Sequence, residues 1–576
     1  MRKGLDILLV NSFAPRHRIV SDASLENSLA LIRTHLQQKG FSAHVVDEQR
    51  ITSVEKGVPR WILHALRMLS HWLVETSNAG HRLTSLLFLL FAWPLQALSL
   101  YYRRLYMNKL MDTIVSLVKD DSIPMVGIKL WYGDAYKWSL ALAAKLKAQC
   151  PGTVVIAGGP HVKVFGEHVL ETQAFDLAIM GPGEEILAQL LSLRQKISDK
   201  QTFLDLVQSS LGQTRLIRTG QFNLSDHSLW GPIPHYNADD LRDKMLFHTL
   251  VDGIGCSWNK CNFCSHTRQH VTYTPRPVEE IHSEIVEMTR QGIGFFRFSS
   301  SETPAAHGSA IAKMLLDQGM NINYSMFVRA GQVSPEIYDA FRLMIRSGLR
   351  AVFMGGETAH DLINSSVMNK GVTRREIMET IQCIKLAAAD TGIPCRVGLS
   401  MIYPCPILPG VTLDDVFQAN IKLIEETMPD AVIVNPPGLF PGTFWFDHAE
   451  RFGFKIGPAF ITSMMEYEYS NYKPVELWPA LDYSLNEQNL ANMLKETGKL
   501  RRAIEDLGIP MGVSDELLMM LDAVGLQSKA DRMLFRKHSL IDIMSGTSSY
   551  ITKITSQIND CSRRLAYSNH SNRIKK

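Results

Sequence analysis

One short stretch, GIGCSWNKCNFCSH (Gly253–His266), brings Cys256, Cys261 and Cys264 together at the spacing C-x4-C-x2-C, with His266 just beyond them. Thiols this close in a chain are metal ligands before they are anything else. With His266 they make a Cys3His zinc site. Without it they hold three corners of a four-iron cluster and leave the fourth open to substrate chemistry. Spacing alone leaves both readings open, and unligated thiols as a third. The other five cysteines, Cys150, Cys383, Cys395, Cys405 and Cys561, are scattered. That usage predicts a reducing cytoplasm rather than a disulfide framework. The amino-terminal apolar run LDILLV carries Asp6 and is too short for a secretory signal, so it reads as a buried strand.

The chain that must position this cluster has 576 residues, more than one core can serve, so two to four domains are expected. Hydrophobic residues make up 45% and charged residues 20%, a globular balance, and a net charge of +3 gives no reason to expect a nucleic-acid partner. The first half alternates apolar runs with helical patterns. Strands are expected at 5–12, 41–48, 125–130, 153–159 and 176–181, and helices at 24–40, about 136–148 and 184–196. Continuous apolar strands between helices mean a parallel sheet covered on both faces, a doubly wound α/β domain over residues 1–200. Such sheets bind ligands beyond the carboxyl ends of their strands. There lie AGGPH, with Gly158, Gly159 and His161, and MGPGEE, with Gly181, Gly183 and Glu184. The loops are either tight strand-to-helix turns or a ligand cradle, and the absence of G-x-G-x-x-G argues against a dinucleotide.

An apolar insertion at about 55–115 interrupts this domain. Its run Leu83–Arg104 has nearly the length of a membrane span but contains Pro94 and Gln96, and the preceding stretch is amphipathic. A buried helical hairpin, shallow contact with a membrane surface and a span are the three readings. Residues 201–243 read as a linker. From 244 to 455 six β/α units follow, with strands at 245–251, 294–300, 321–328, 350–356, 395–403 and 430–436. These predict a partial or complete TIM-like barrel whose working face is at the strands' carboxyl ends. Residues 456–576 read as a helical region ending in a basic tail.

The cysteines follow the first barrel strand, and the C-N-F-C segment there resembles the radical S-adenosylmethionine superfamily, whose usual spacing is C-x3-C-x2-C. This chain has one residue more between Cys256 and Cys261. Later segments are similar to the superfamily in the right order: YSMFVRAG with Arg329, FMGGE with Gly355, Gly356 and Glu357, NKGVT, PILPGVT with Val411 where a glutamate is usual, and the PGT segment at 441–443. The loops of the first domain resemble those of the superfamily's cobalamin-binding class, without its D-x-H-x-x-G signature. The resemblance implies a four-iron, four-sulfur cluster on Cys256, Cys261 and Cys264, with His266 outside it. It implies S-adenosylmethionine near Phe263, Glu302, Arg329, Gly355, Gly356 and Glu357, and cobalamin at the GGPH and GPGEE loops with no histidine lower ligand from this domain. Tyr403 and Cys405 are candidates near substrate. The implied reaction is methyl transfer to an unactivated carbon or phosphorus through a 5′-deoxyadenosyl radical, with cyclisation, oxidation or rearrangement as the alternative. The implied partners are a small-molecule or peptide substrate, hydrophobic if the insertion bears on it, and an electron donor such as a flavodoxin or ferredoxin. A zinc-stabilised binding protein or a membrane-surface scaffold is the alternative of another class.

Overall fold

The computed structural model describes residues 4–15, 23–76, 82–210, 214–219, 230–268, 273–467 and 478–574. Parts of the expected linker (220–229) and the end of the basic tail (575–576) lie outside them. The chain forms two compact units: residues 1–244 with 461–469 and 538–552, and residues 245–460 with 470–537 and 553–576.

The first unit runs β1 (Ile7–Asn11), α1 (Asn27–Gln38), β2 (Ala43–Val46), α2 (Arg60–Thr76), α3 (Arg82–Asp120), β3 (Met125–Lys129), α4 (Asp134–Gln149) and β4 (Val154–Gly158). It continues α5 (Pro160–Phe165), α6 (His168–Glu171), β5 (Leu177–Met180), α7 (Glu184–Lys196), α8 (Lys200–Ser210), β6 (Leu216–Arg218) and α9 (Ala238–Leu241). All strand pairs are parallel, in the order β2-β1-β3-β4-β5-β6. Ile7, Leu9, Met125, Val154, Ile156 and Leu177 form one face of the sheet's core and meet Leu29 and Leu36 of α1 and Leu187 and Leu191 of α7. The expected linker therefore contributes two helices, α8 and α9, and the sixth strand. Its three-residue strand LIR is too short for periodicity to announce.

The insertion is a helical hairpin. Ile62, Leu63 and Leu66 of α2 pack with Ala92 of α3, and Leu95 and Tyr102 close around them. The span is not borne out: no helix among the described residues is long and apolar enough to cross a membrane. The second half of α3 belongs to the domain proper, for Met111, Ile114, Val115 and Val118 are buried ahead of β3.

The second unit contains β7 (Phe247–Leu250), β8 (Gly253–Ile254), β9 (Thr274–Pro275), α10 (Val278–Arg290), β10 (Phe295–Phe298), α11 (Ala305–Asp317), β11 (Asn323–Val328), α12 (Pro335–Ser347) and β12 (Leu349–Glu357). Then come α13 (Asp361–Ser366), α14 (Arg374–Thr391), β13 (Arg396–Ile402), α15 (Leu413–Thr427), β14 (Ala431–Asn435) and α16 (Phe444–Asp447). Strands β7, β10, β11, β12, β13 and β14 lie side by side in chain order, all parallel, which is the partial barrel of six β/α units. Local signals fix the helices between them. Thr373 with Glu376 and Thr412 with Asp415 form capping boxes, and Gly392 ends α14 in the left-handed region. The outer edge of β14 is covered by the 510–512 segment, through Val432 N to Pro510 O (3.2 Å) and Gly512 N to Val432 O (2.9 Å).

The carboxyl-terminal region is helical, with α17 (Phe460–Met465), α18 (Leu490–Asp506), α19 (Asp515–Ala523), α20 (Lys529–Ser545) and α21 (Ser549–Ile574). It also holds a small antiparallel sheet of β15 (Phe454–Ile456), β16 (Tyr483–Leu485) and β17 (Gln488–Asn489), which the sequence reading did not anticipate. The start of α19 faces the barrel strands. Arg297 and Ser325, side by side in register, both reach Asp515 Oδ2, at 3.2 and 2.8 Å. Arg297 also lies 3.4 Å from Glu516 Oε2.

Burial, opposed by Arg297 and reinforced by Asp515, pushes the Glu516 carboxyl up to about 7. The folded chain thus keeps a proton that the unfolded chain releases at the ordinary value of 4.5. Its stabilising contribution is full below that value and is lost as pH rises through about 7. Glu516→Gln, which mimics the protonated acid, is expected to flatten that slope in urea melting and to raise stability above it. A variant with the parent's slope would refute the assignment.

Candidate cluster and cofactor site

The working face of the barrel is assembled from the segments that leave β7, β10, β11 and β12. The cysteine loop is stitched to the segment after β12 by a set of backbone and amide contacts. Asn262 N donates to Met368 O (2.9 Å) and Asn262 Nδ2 to Val367 O (3.0 Å). Trp258 Nε1 donates to Asn369 O (2.7 Å), and Asn369 Nδ2 returns a bond to Lys260 O (2.8 Å). Trp445 of α16 adds bonds from its N to Asn262 O (2.9 Å) and from Nε1 to Val367 O (3.1 Å). Trp258, in the long Cys256–Cys261 gap, sits against Gly371, whose φ is +63°. A Cβ on Gly371 would lie 2.1 Å from Trp258 Cζ2.

The three cysteines carry thiols rather than disulfides. Burial pushes Cys261 up to about 12, against the pull of Lys370, and raises Cys264 in the same way. Bound metal reverses that preference, because a coordinating thiol is deprotonated outright. Among the described residues no three His, Cys, Asp or Glu side chains are gathered as one ion requires. His266 is exposed, with Nδ1 3.0 Å from Ser301 Oγ. Three thiols with no fourth side-chain ligand gathered beside them among the described residues would suit a group that takes each thiolate on a different iron better than a single tetrahedral zinc.

Glu302, 4% exposed, accepts from Ser257 N through Oε1 (2.8 Å), so the residue after Cys256 is held by the end of β10. Its Oε2 is buried without a partner. Arg329, at the end of β11, spans the Trp258 ring at 4.7 Å and donates through Nη2 to the carbonyls of Lys370 (2.5 Å) and Gly371 (3.0 Å). Its buried Nε has no partner. Both residues line one cavity of ≈ 210 Å³, together with Ser257, Gly331 and Thr380. Two residues that each keep one buried polar atom without a partner thus line the same cavity.

The glycines near the end of β12, Gly355 and Gly356, stand close to the chain's own side chains. Glu357, with φ +56°, accepts from Lys370 Nζ at 3.0 Å, and a Cβ on Gly355 would meet that pair at 2.4 and 2.6 Å. A Cβ on Gly356 would meet Leu399 Cδ1 at 2.9 Å. Both are small because the chain's own side chains fill the space. Burial alone would lower the Lys370 ammonium, but Glu357 and the sulfurs of Cys261 and Cys264 outweigh it and hold the charge. Sequence reasoning missed Lys370, although the NKGVT segment contained it. Phe263 is half-buried, with its ring 5.7 Å from Trp445 and Lys370 Nζ 5.9 Å from its centroid.

Tyr403 and Cys405 do not open onto this face. Tyr403 is 2% exposed and donates its hydroxyl to Leu413 O, while Cys405 is fully enclosed and burial raises its thiol to about 12. They are packing residues, and the expectation that they act near substrate is corrected.

In the first unit the expected loops do lie at the carboxyl edge, but their glycines again answer to the chain. A Cβ on Gly159 (φ +90°) would meet Lys129 Cγ at 2.9 Å, and one on Gly181 (φ +117°) would meet Thr219 O at 2.3 Å. Gly158 has nothing within 4 Å and Gly183 only ordinary contacts, so these two stay available to a ligand. Glu184, the first residue of α7, has its carboxyl raised by burial. His161, expected at the same ligand, is buried. The turn into α5 points it inward, 0% exposed, between Tyr132 (5.1 Å), Tyr136 (4.4 Å) and Phe165 (4.7 Å), and burial lowers it to about 3. Strand order also places the topological switch between β1 and β3, where such sheets bind ligands, rather than after β4 and β5. Lys129, paired with Glu26 at 2.6 Å, and Asn11, donating to Asp47 at 2.9 Å, stand there.

Comparison with known proteins agrees with this arrangement. Residues 96–191 match the B12 binding domain family, a match that begins inside α3. Among curated proteins nothing matches significantly. Of solved structures, the radical S-adenosylmethionine methyltransferase TsrM from Kitasatospora setae, with tryptophan substrate and the analogue aza-SAM bound, is 14% identical at a TM-score of 0.50, over 78% of this chain and 77% of that one. The same enzyme with cobalamin and a [4Fe-4S] cluster bound is 14% identical at 0.49, over 79% and 80%. The cobalamin-dependent S-adenosylmethionine radical enzyme OxsB, with aqua-cobalamin and S-adenosylmethionine bound, is 14% identical at 0.45, over 87% and 61%. A match to the B12 binding domain family thus lies within the first unit, and the chain shares the fold of that methyltransferase.

Proposed function

We propose that this protein is a cobalamin-dependent radical S-adenosylmethionine enzyme that methylates an unactivated carbon or phosphorus centre. The observation that carries the reading is that Glu302 and Arg329 line one cavity together with Ser257, the residue after Cys256. A carboxylate and a guanidinium lining one cleft suit the amino and carboxylate groups of an α-amino acid. S-adenosylmethionine ends in that group. When bound, the cluster supplies the electron that splits the S–C5′ bond of S-adenosylmethionine, and cobalamin carries the methyl group.

The chain's own part is to hold and exclude. Cys256, Cys261 and Cys264 would ligate three irons and leave one for the cofactor's amino and carboxylate groups. Phe263 would pack on adenine, and Glu357, held by Lys370, would accept hydrogen bonds from the ribose or the ammonium. Gly158, Gly183, Glu184 and the switch-point residues would border the corrinoid. An electron donor of the flavodoxin or ferredoxin kind would approach the polar cavity that Cys261 shares with Lys260 and Arg451. The hydrophobic substrate inferred from the insertion belongs to the same proposal.

Anaerobic reconstitution with iron, sulfide and hydroxocobalamin, followed by incubation with methyl-labelled S-adenosylmethionine and cell extract, tests it. The expected result is a brown protein that forms 5′-deoxyadenosine and transfers label to a product. A colourless protein with one zinc per chain would refute it.

A further inference from the structure

We propose that the α2–α3 hairpin seats the protein on anionic lipid bilayers, lying in the plane of the surface. The hairpin's inner faces are already satisfied by one another through Ile62, Leu63, Leu66 and Ala92. Its outer faces remain apolar and open. On α3, Leu90 (64% exposed), Phe91 (62%), Trp93 (71%) and Tyr101 (57%) stand out from the protein, as does Trp61 (60%) on α2. From Leu83 to Tyr102 there is no charged residue. A monomer in water seldom exposes so many large apolar side chains on one element.

Charge decides what covers them. Between Val58 and Leu110 the sequence has Arg60, Arg67, Arg82, Arg103, Arg104 and Lys109 against a single acid, Glu75. Arg103 is turned inward to the carbonyls of Pro15 and Gly546, whereas Arg60, Arg67, Arg104 and Lys109 are exposed. On α2 the two chemistries run as separate stripes. Trp61, Met68 and Trp72 recur at helical spacing, and Arg60, His64, Arg67 and His71 flank them. A second copy of the chain would set basic stripe against basic stripe. An anionic bilayer offers apolar depth beneath negative headgroups, and tryptophan and tyrosine favour that boundary. Anchoring of this kind needs no membrane span.

The surface is independent of the chemistry of the second unit, so its test uses the full chain with or without cofactors. Flotation with vesicles of phosphatidylcholine and phosphatidylglycerol is compared with flotation on phosphatidylcholine alone. Binding is expected to the mixed vesicles, with a blue shift of tryptophan emission, and to fall with salt. Arg60→Glu with Arg67→Glu should weaken it by about tenfold or more. Trp61→Ser with Trp93→Ser should abolish the blue shift, circular dichroism confirming that these outward-facing changes leave the helices intact. No binding to the mixed vesicles, or equal binding to both kinds, overturns the proposal. A dimer in sedimentation velocity that the tryptophan variant converts to monomer would also overturn it, assigning the patch to a second copy.

Discussion

Cys261→Ala is expected to abolish iron–sulfur loading and, with it, any turnover of S-adenosylmethionine. Of the three thiols this one is most deeply committed. It is 9% exposed, between Lys260, whose carbonyl accepts from Asn369, and Asn262, which is bonded to Met368, Val367 and Trp445. Its neighbours leave no substitute donor: His266 is turned toward Ser301, and the other five cysteines are scattered through the chain. Removing one of three thiolates leaves two to hold a four-iron group, which protein cysteines normally hold with more. Reconstituted protein should lose its visible absorbance and nearly all its iron, whereas melting of the iron-free chain should change little, because removing a small thiol from a loop costs about 1 kcal/mol. His266→Ala is the control and should load iron as the parent does. If C261A kept both its colour and 5′-deoxyadenosine formation, the thiol would lie outside the cluster and the site would have to be redrawn.

The fold was legible because its strands are continuous apolar runs and its helices carry their own stops. TVVIAGG, AVFMGG and DAVIVNP could be placed in a buried parallel sheet from composition alone. The elements that escaped lack either signal: β6 and β15 have three residues each, and β17 has two. What a glycine is small for was not legible. Gly159 and Gly181 read equally as tight turns or a ligand cradle, and Gly355 and Gly356 as cofactor neighbours by resemblance, whereas Lys129, Thr219, Glu357 and Leu399 stand where a Cβ on each would go. A sequence records the missing Cβ but not the atom that replaces it. Direction was the other gap. His161, Tyr403 and Cys405 follow strand ends on the correct edge, but a turn of one residue reverses a side chain, and all three are buried. The polar stitching around Asn262, Asn369 and Lys370 joins segments about a hundred positions apart. Only the motif order hinted that they belong together.

That stitching makes Gly371→Ala the second large effect. The added methyl would meet Trp258 Cζ2 at 2.1 Å and Cη2 at 2.3 Å, in a backbone conformation (φ +63°) that alanine adopts only at a cost. The conformational cost is roughly 1–2 kcal/mol. Displacing a packed ring adds about 1–3 kcal/mol more. Trp258 cannot retreat without consequence. Its Nε1 bond to Asn369 O (2.7 Å) and the Arg329 guanidinium over its ring (4.7 Å) both depend on its place. Arg329 in turn holds the carbonyls of Lys370 and Gly371 and lines the cavity. One methyl group therefore reaches the cysteine loop, the cation and the cofactor cavity together. Iron retained through gel filtration should fall several-fold, and S-adenosylmethionine should bind at least about tenfold more weakly. Trp258→Ala separates clash from conformation. If the ring is the obstacle, Trp258→Ala with Gly371→Ala should be little worse than Trp258→Ala alone, the remainder being the left-handed cost. A Gly371→Ala chain that loads iron and binds S-adenosylmethionine like the parent would show that the extra residue between Cys256 and Cys261 is absorbed elsewhere, and that Trp258 does not position the loop.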